Sequence, residues 1–199
     1  MNILVLVSGN GANLQALIDA EKEERLGPGH IAAVISNRSG AYALERARAA
    51  GIPTFIETTD RGLPAGARRR DLSDRLLGAA RRTGAGLIVL AGFLGILEGE
   101  ILNAYENRII NIHPSLLPKY GGEGMYGDRV HRAVLAAGEQ ESGCTVHLAD
   151  PGTDTGPILL QRRVPVLPDD TAKSLAERIH VEEHIAIVEA TALMARKLQ

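Results

Sequence analysis

The sequence predicts an α/β fold: a single Rossmann-like domain over residues 1–199, built on a mostly parallel twisted sheet with an antiparallel strand pair towards the C-terminus. Three observations carry this. Residues 2–7 and 87–91 are short, uncharged apolar runs, the mark of strands buried on both faces. Such runs alternate with segments of helical period, which implies right-handed crossovers between parallel neighbours. Near the end, two strand-like runs are joined by a loop too short for a crossover helix, so they should run antiparallel.

After the first strand, residues 2–7, comes a Gly/Asn-rich loop and then Leu14, Leu17 and Ile18 at helical spacing. Residues 31–36 read as the second strand, and residues 41–50 as a helix stopped by Gly51. Residues 54–56, after Pro53, form a short third strand. A basic helix over about residues 68–82 leads to the fourth strand, residues 87–91, and residues 108–112 make the fifth. From Pro118 to Asp128 the chain is loop-like, with Gly121, Gly122, Gly124 and Gly127 around Met125 and Tyr126. Residues 130–137 read as a helix, and residues 144–149 and 156–166 as the antiparallel pair. Residues 171–198 hold one amphipathic helical pattern with Leu175, Ile179, Ile185, Val188 and Leu193 among its apolar positions.

With 199 residues, 45% of them hydrophobic and 23% charged, the chain suits one domain with a substantial core. A net charge of -2 argues against a general binder of nucleic acid or membrane surfaces, so any phosphate must be held by local groups. The expected partners are small molecules, and the chain itself a monomer or homodimer. The lone Cys144 fits a reducing compartment and reads as a small buried hydrophobe. No leader or spanning run precedes the first strand, so a cytoplasmic location is expected.

The most telling stretch is Asn111-Ile112-His113-Pro114-Ser115-Leu116-Leu117-Pro118. Alternation along a strand puts Asn111 and His113 on one face, and Pro114 ends the ladder there. In open α/β sheets ligands bind at that C-terminal edge. An amide that can donate to an oxyanion, beside an imidazole that can move a proton, is a partial site for acyl-type transfer. The plainer alternative is an amide satisfying a turn beside a packed core histidine. Asp154 lies in a Gly/Pro/Asp-rich loop that can return a carboxylate to the same edge or merely cap a turn. His113, His147, Asp150 and Asp154 lack the spacing of familiar zinc motifs, so no metal is expected. The first loop offers Gly9 and Gly11 before a helix, where backbone N–H groups can face an anion. A dinucleotide site is disfavoured, since position 14 is Leu14 and Asn37 and Arg38 follow strand two where an acidic residue belongs.

The stretch 111–118, with Leu90-Ala91-Gly92-Phe93 before it, resembles the signature of the folate-dependent formyltransferases. The opening Ser8-Gly9-Asn10-Gly11-Ala12-Asn13-Leu14-Gln15 is similar to their branch acting on phosphoribosylglycinamide in purine synthesis, and the similarity runs in order to the final helix. The resemblance implies transfer of a formyl group from the co-substrate 10-formyltetrahydrofolate to the amine of 5-phosphoribosylglycinamide, through a tetrahedral intermediate and without a metal. It implies Asn111, protonated His113 and Asp154 as catalytic residues, with His147 in support. Gly11, Ala12 and Asn13 would hold the phosphate, Ala12 standing where serine is common. Glu183 and His180 would meet the ribonucleotide. Arg69, Phe93, Leu94, Gly95, Ile96, Leu97, Ala149 and Asp150 would receive the folate, Gly95 standing where arginine is common. Formyltetrahydrofolate hydrolase and methionyl-tRNA formyltransferase share this chemistry but usually carry an additional domain. A non-catalytic nucleotide-binding module on the same fold is the alternative of a different class.

Overall fold

The computed structural model describes residues 1–60 and 62–199. Among them, seven strands form one sheet: β1 (Asn2–Val7), β2 (His30–Ser36), β3 (Thr54–Ile56), β4 (Leu87–Leu90), β5 (Ile109–His113), β6 (Glu141–Leu148) and β7 (Ile158–Pro165). Their order is β3-β2-β1-β4-β5-β6-β7. The pairings from β3 through β5 are parallel, as the uncharged apolar runs require, and β6 runs antiparallel to both β5 and β7. The helices are α1 (Ala12–Lys22), α2 (Tyr42–Ala49), α3 (Ala65–Arg82), α4 (Glu100–Ala104), α5 (Asp128–Ala136) and α6 (Ala172–Lys197).

Side-chain alternation along β1 feeds two separate cores. Ile3, Val5 and Val7 face one layer, where they join Leu14, Leu17 and Ile18 of α1 and Leu175, Ile179 and Ile187 of α6. Leu4 and Leu6 face the other, with Leu72 and Leu76 of α3 and Ile101 of α4. Chain order reverses between β1 and β4, so the loops leaving their C-terminal ends part and open a crevice. Ser8 ties the two loops: its Oγ accepts from Leu94 N at 2.8 Å and donates to Asn37 Oδ1 at 2.7 Å.

Several boundaries differ from the sequence expectation. The basic helix starts three residues earlier, immediately after Pro64, and the five-residue α4 was too short to show a helical period. In α6 the apolar pattern misplaces two residues, since Ile185 and Leu193 are exposed, while Ala186, Ile187, Ala190 and Met194 form the buried stripe. That helix is started by a reciprocal cap in which Thr171 Oγ1 accepts from Ser174 N and Ser174 Oγ accepts from Thr171 N. Strand β6 begins at Glu141, ahead of the expected position, and holds Cys144 fully buried. Burial pushes that thiol up to about 12, which suits a core residue and not a nucleophile.

Within β6, Gly143 is held to glycine by its neighbour strand: an added Cβ would sit 2.0 Å from the Arg162 carbonyl oxygen. Gly143→Ala must therefore push β7 away from β6. The expected loss is about 1–3 kcal/mol, read from a lowered denaturation midpoint at unchanged slope. An unchanged midpoint would contradict the tight β6–β7 approach.

Candidate active site

A cavity of about 560 Å³ opens at the C-terminal edge of β4 and β5. Its walls are the segment after β4, the glycine-rich loop before α5, the loop between β6 and β7, and side chains of α1, α5 and α6. Asn111 and His113, two apart on β5, both line it, and Pro114 continues the lining where the ladder ends. The structure thus brings the pair together at the predicted edge.

Asp154 converges on the same point. It adopts a left-handed conformation, φ 59°, which a non-glycine residue keeps only where its surroundings hold it. Its Oδ2 accepts from Gly122 N at 3.0 Å and lies 3.4 Å from His113 Nδ1. Its Oδ1 lies 3.4 Å from Asn111 Nδ2 and 3.5 Å from His147 Nε2. His147 is the direct partner of Asn111 across the β5–β6 ladder. The Leu148 carbonyl, 2.9 Å from His147 Nδ1, can only accept, so Nδ1 carries the hydrogen and Nε2 accepts from Asn111 Nδ2 at 3.0 Å. One amide hydrogen of Asn111 is thereby committed. The other has only the long contact to Asp154, which an incoming acceptor can replace.

The electrostatics separate these groups. Burial would raise Asp154, but the nearby His147 and His113 rings and the Gly122 N–H outweigh it and hold the carboxyl below its ordinary value. Burial lowers His113, against the opposing pull of Asp154 and of the Tyr120 carbonyl, to which Nε2 donates at 2.8 Å. Burial thus opposes the imidazolium that the resemblance implies, while Asp154 beside Nδ1 is placed to stabilise it.

Phe93, Leu94, Gly95, Ile96, Leu97, Ala149 and Asp150 all line the cavity, forming a largely apolar slot. The ring of Phe93 covers Gly95, where an added Cβ would meet it at 2.6 Å. Asp150 accepts from Gly152 N and Thr155 Oγ1, which folds the loop that carries Asp154. Arg69 stands outside the cavity wall and pairs with Glu123 of the glycine-rich loop.

The first loop divides. Asn13 lines the cavity, and its buried Oδ1 has no hydrogen-bond partner. Ala12 instead lines a groove between α1 and α6. Gly11 has φ 81°, and an added Cβ would lie 2.6 Å from that of Ala43, so packing on α2 demands glycine there. Arg46 of α2 secures the loop by donating to the Asn10 carbonyl at 2.9 Å, Asn10 Oδ1 at 2.8 Å and Gln15 Oε1 at 3.2 Å. On α6, His180 and Glu183 both reach the cavity, 3.7 Å apart. Glu183 is only 6% exposed, and burial pushes its carboxyl up to about 7. The sequence reading did not single out His131 of α5, which is 2% exposed and also lines the cavity. Its signal was helical: it sits three residues before the buried Val134, on the inward face. Among the described residues no group of three or more His, Cys, Asp or Glu is placed to hold a metal ion, and no helix is long and apolar enough to cross a membrane.

Comparison with known proteins gives one answer. Residues 1–191 match the family model for formyl transferase. The trifunctional purine biosynthetic protein adenosine-3 of Drosophila melanogaster is 45% identical over 96% of this chain, which spans 14% of that protein's length. Phosphoribosylglycinamide formyltransferase of Escherichia coli is 41% identical over 92% of the chain and 82% of its own. The crystal structure of glycinamide ribonucleotide transformylase 1 from Symbiobacterium toebii superposes with a TM-score of 0.90 at 42% identity, covering 99% of this chain and 88% of that one. With a family match over nearly its whole length, and an Asn/His/Asp cluster at the edge where its signature ends, the chain belongs to the formyl transferase family.

Proposed function

We propose that this protein transfers the formyl group of 10-formyltetrahydrofolate to the primary amine of 5-phosphoribosylglycinamide, in purine biosynthesis. The observation that carries the reading is the convergence of Asn111, His113 and His147 on Asp154, in a cavity that Asn13 and Glu183 also line. Relatives bearing the names of this activity, at 41% identity over most of both chains, support the same reading.

The pterin enters the slot of Phe93, Leu94, Gly95, Ile96 and Leu97, against Ala149 and Asp150, where apolar walls and backbone polar groups suit a flat, hydrogen-bonding ring. The phosphate lies against the loop of Gly11, Ala12 and Asn13 at the start of α1. The first hydrogen bond of this helix runs from Gln15 N to the Gly11 carbonyl, so the N–H groups between them stand outside the ladder. Glu183 and His180 meet the ribose. The amine attacks the formyl carbon; the carbonyl π pair moves to oxygen, and Asn111 Nδ2 donates to the oxyanion as its contact to Asp154 is replaced. The nitrogen, now positive, loses a proton to the His113–Asp154 pair, whose ion-paired form the fold already accommodates. Collapse of the tetrahedral species expels the folate nitrogen, which receives that proton. Arg69 acts from the rim by holding Glu123 of the glycine-rich loop.

The assay is loss of formyl from 10-formyltetrahydrofolate with and without the ribonucleotide. Turnover should be a small fraction of the coupled rate when the acceptor is absent. Rapid formate release indifferent to the ribonucleotide would assign a hydrolase instead. Asn111→Ala should lower kcat by about 10²–10³ with folate binding nearly unchanged, as expected for removal of one oxyanion donor. Near-normal turnover would remove Asn111 from the chemistry.

Glu183 links function to stability. A carboxyl raised from 4.5 to about 7 in the folded state favours folding fully below the unfolded pKa, and that contribution fades as pH rises through the folded value. Glu183→Gln removes the ionisation while keeping the shape. At pH 8 the variant should be more stable than the parent by up to about 3 kcal/mol, a gain absent near pH 4. Thermal melts at the two pH values decide it, and an equal difference at both would show that folding does not raise the Glu183 carboxyl. Glu183→Ala should also raise KM for the ribonucleotide about tenfold, in line with a lost hydrogen bond to a polar ligand.

A further inference from the structure

Four histidines line the cavity, and two of them are hydrogen-bonded. His113 faces the Tyr120 carbonyl through Nε2 and Asp154 through Nδ1. His147 faces Leu148 O and Asn111. His180 is half exposed, with Nε2 3.7 Å from Glu183. His131 differs: its ring is 2% exposed, it forms part of the wall, and its buried Nδ1 has no partner. A buried, unpartnered imidazole nitrogen costs desolvation free energy, and no protein group fixes the tautomer of this ring.

The reaction proposed above presents a second unmet need. An α-amino group has a pKa of about 8, so most of the acceptor arrives at neutral pH as an ammonium with no lone pair. One proton must leave before attack, in addition to the one that leaves afterwards. Asp154 and His113 serve the later transfer.

We propose that His131 takes the first proton: an ammonium N–H bond breaks, an imidazole N–H bond forms on His131, and the freed lone pair attacks the formyl carbon. The proton stays on His131 through the attack and returns to solvent after collapse. This rests on the formyl-transfer reading. The groups facing His131 are His180 and Glu183 from α6, His113 from β5 and, on its own helix, Asp128. Burial and the neighbouring His180 keep the ring below the usual imidazole value, against Asp128, so it stands neutral and ready to accept.

Proton retention has a kinetic signature. Free enzyme plus ammonium substrate and the transition state then hold the same number of protons, so kcat/KM of the parent should stay level below the substrate amine's pKa instead of falling tenfold per pH unit. In His131→Phe and His131→Gln only the free amine reacts. Their kcat/KM should fall about tenfold relative to the parent at pH 7 and converge with it above pH 9, for an amine of pKa about 8. Folate affinity should be unchanged. A loss of equal size at every pH marks a packing role and overturns the proposal, as does a profile like the parent's. Should both variants fail to fold, ¹⁵N imidazole NMR of the parent serves, because the His131 resonances must move when glycinamide ribonucleotide is added and resonances that stay put overturn the proposal. Absence of ribonucleotide-dependent transfer by the parent itself overturns the function reading and this inference together, and so is told apart from failure of the variants alone.

Discussion

Every element of the site depends on how Asp154 is held. Its carboxylate takes a backbone N–H from Gly122, faces His113 with one oxygen, and reaches Asn111 and His147 with the other. A buried carboxylate without such partners would be driven to protonate, and could then neither stabilise a charged His113 nor orient it. The groups that keep Asp154 ionised come from three segments: β5, β6 and the glycine-rich loop. Its left-handed backbone is the local strain this arrangement carries, and the turn made by Asp150 with Gly152 and Thr155 keeps the loop in that shape.

The direction of β6 makes this convergence possible. In the parallel part of the sheet each strand's C-terminal end leads away through a helix, so neighbouring strands supply their functional loops by long crossovers. Because β6 runs against β5, its C-terminal end lies beside the start of β5, and the chain continues through residues 149–157 along the cavity. Antiparallel pairing also sets His147 directly opposite Asn111. A one-residue slip would turn that imidazole to the other face of the sheet and leave the amide unoriented. Gly143 and Gly156, whose added Cβ atoms would strike the Arg162 and Leu148 carbonyls, hold this end of the sheet at close approach.

Much of this was legible in the amino-acid pattern, for identifiable reasons. Strands β1 and β4 announce themselves as uncharged apolar runs because both faces are buried. The Asn111/His113 pair is visible because strand period and a terminal proline together fix which face and which end. Residues on long helices are harder. Ile185 and Leu193 look like core by residue type, but the rotation of α6 is set by contacts with α1, β6 and β7, and the buried stripe includes several alanines that carry little hydropathic signal. His131 was missed because a histidine on a short helix has no motif, and its importance lies in the wall it completes. Gly11 carries a requirement that spacing does not show, since an added Cβ there would meet Ala43.

The cavity imposes one electrostatic rule on the groups that line it, which is that burial penalises charge of either sign. His113 and His131 are pushed down and Glu183 is pushed up, all with burial as the leading cause. Asp154 escapes because hydrogen bonds and neighbouring imidazoles more than offset the same penalty. Among the buried groups, Asp154 therefore holds a well-supported negative charge beside others that burial drives towards neutrality. Formyl transfer passes through a species with a negative oxygen and a positive nitrogen. In such surroundings the amide dipole of Asn111 and the charge of Asp154 act on those charges with little screening by water, and their positions are fixed before the charges form. A site crowded with standing charges would stabilise the resting state as well and gain nothing in the barrier. The neutrality of the wall is thus part of the catalytic device, and its chemical cause is the apolar sheet and helix packing that buries the wall's polar residues.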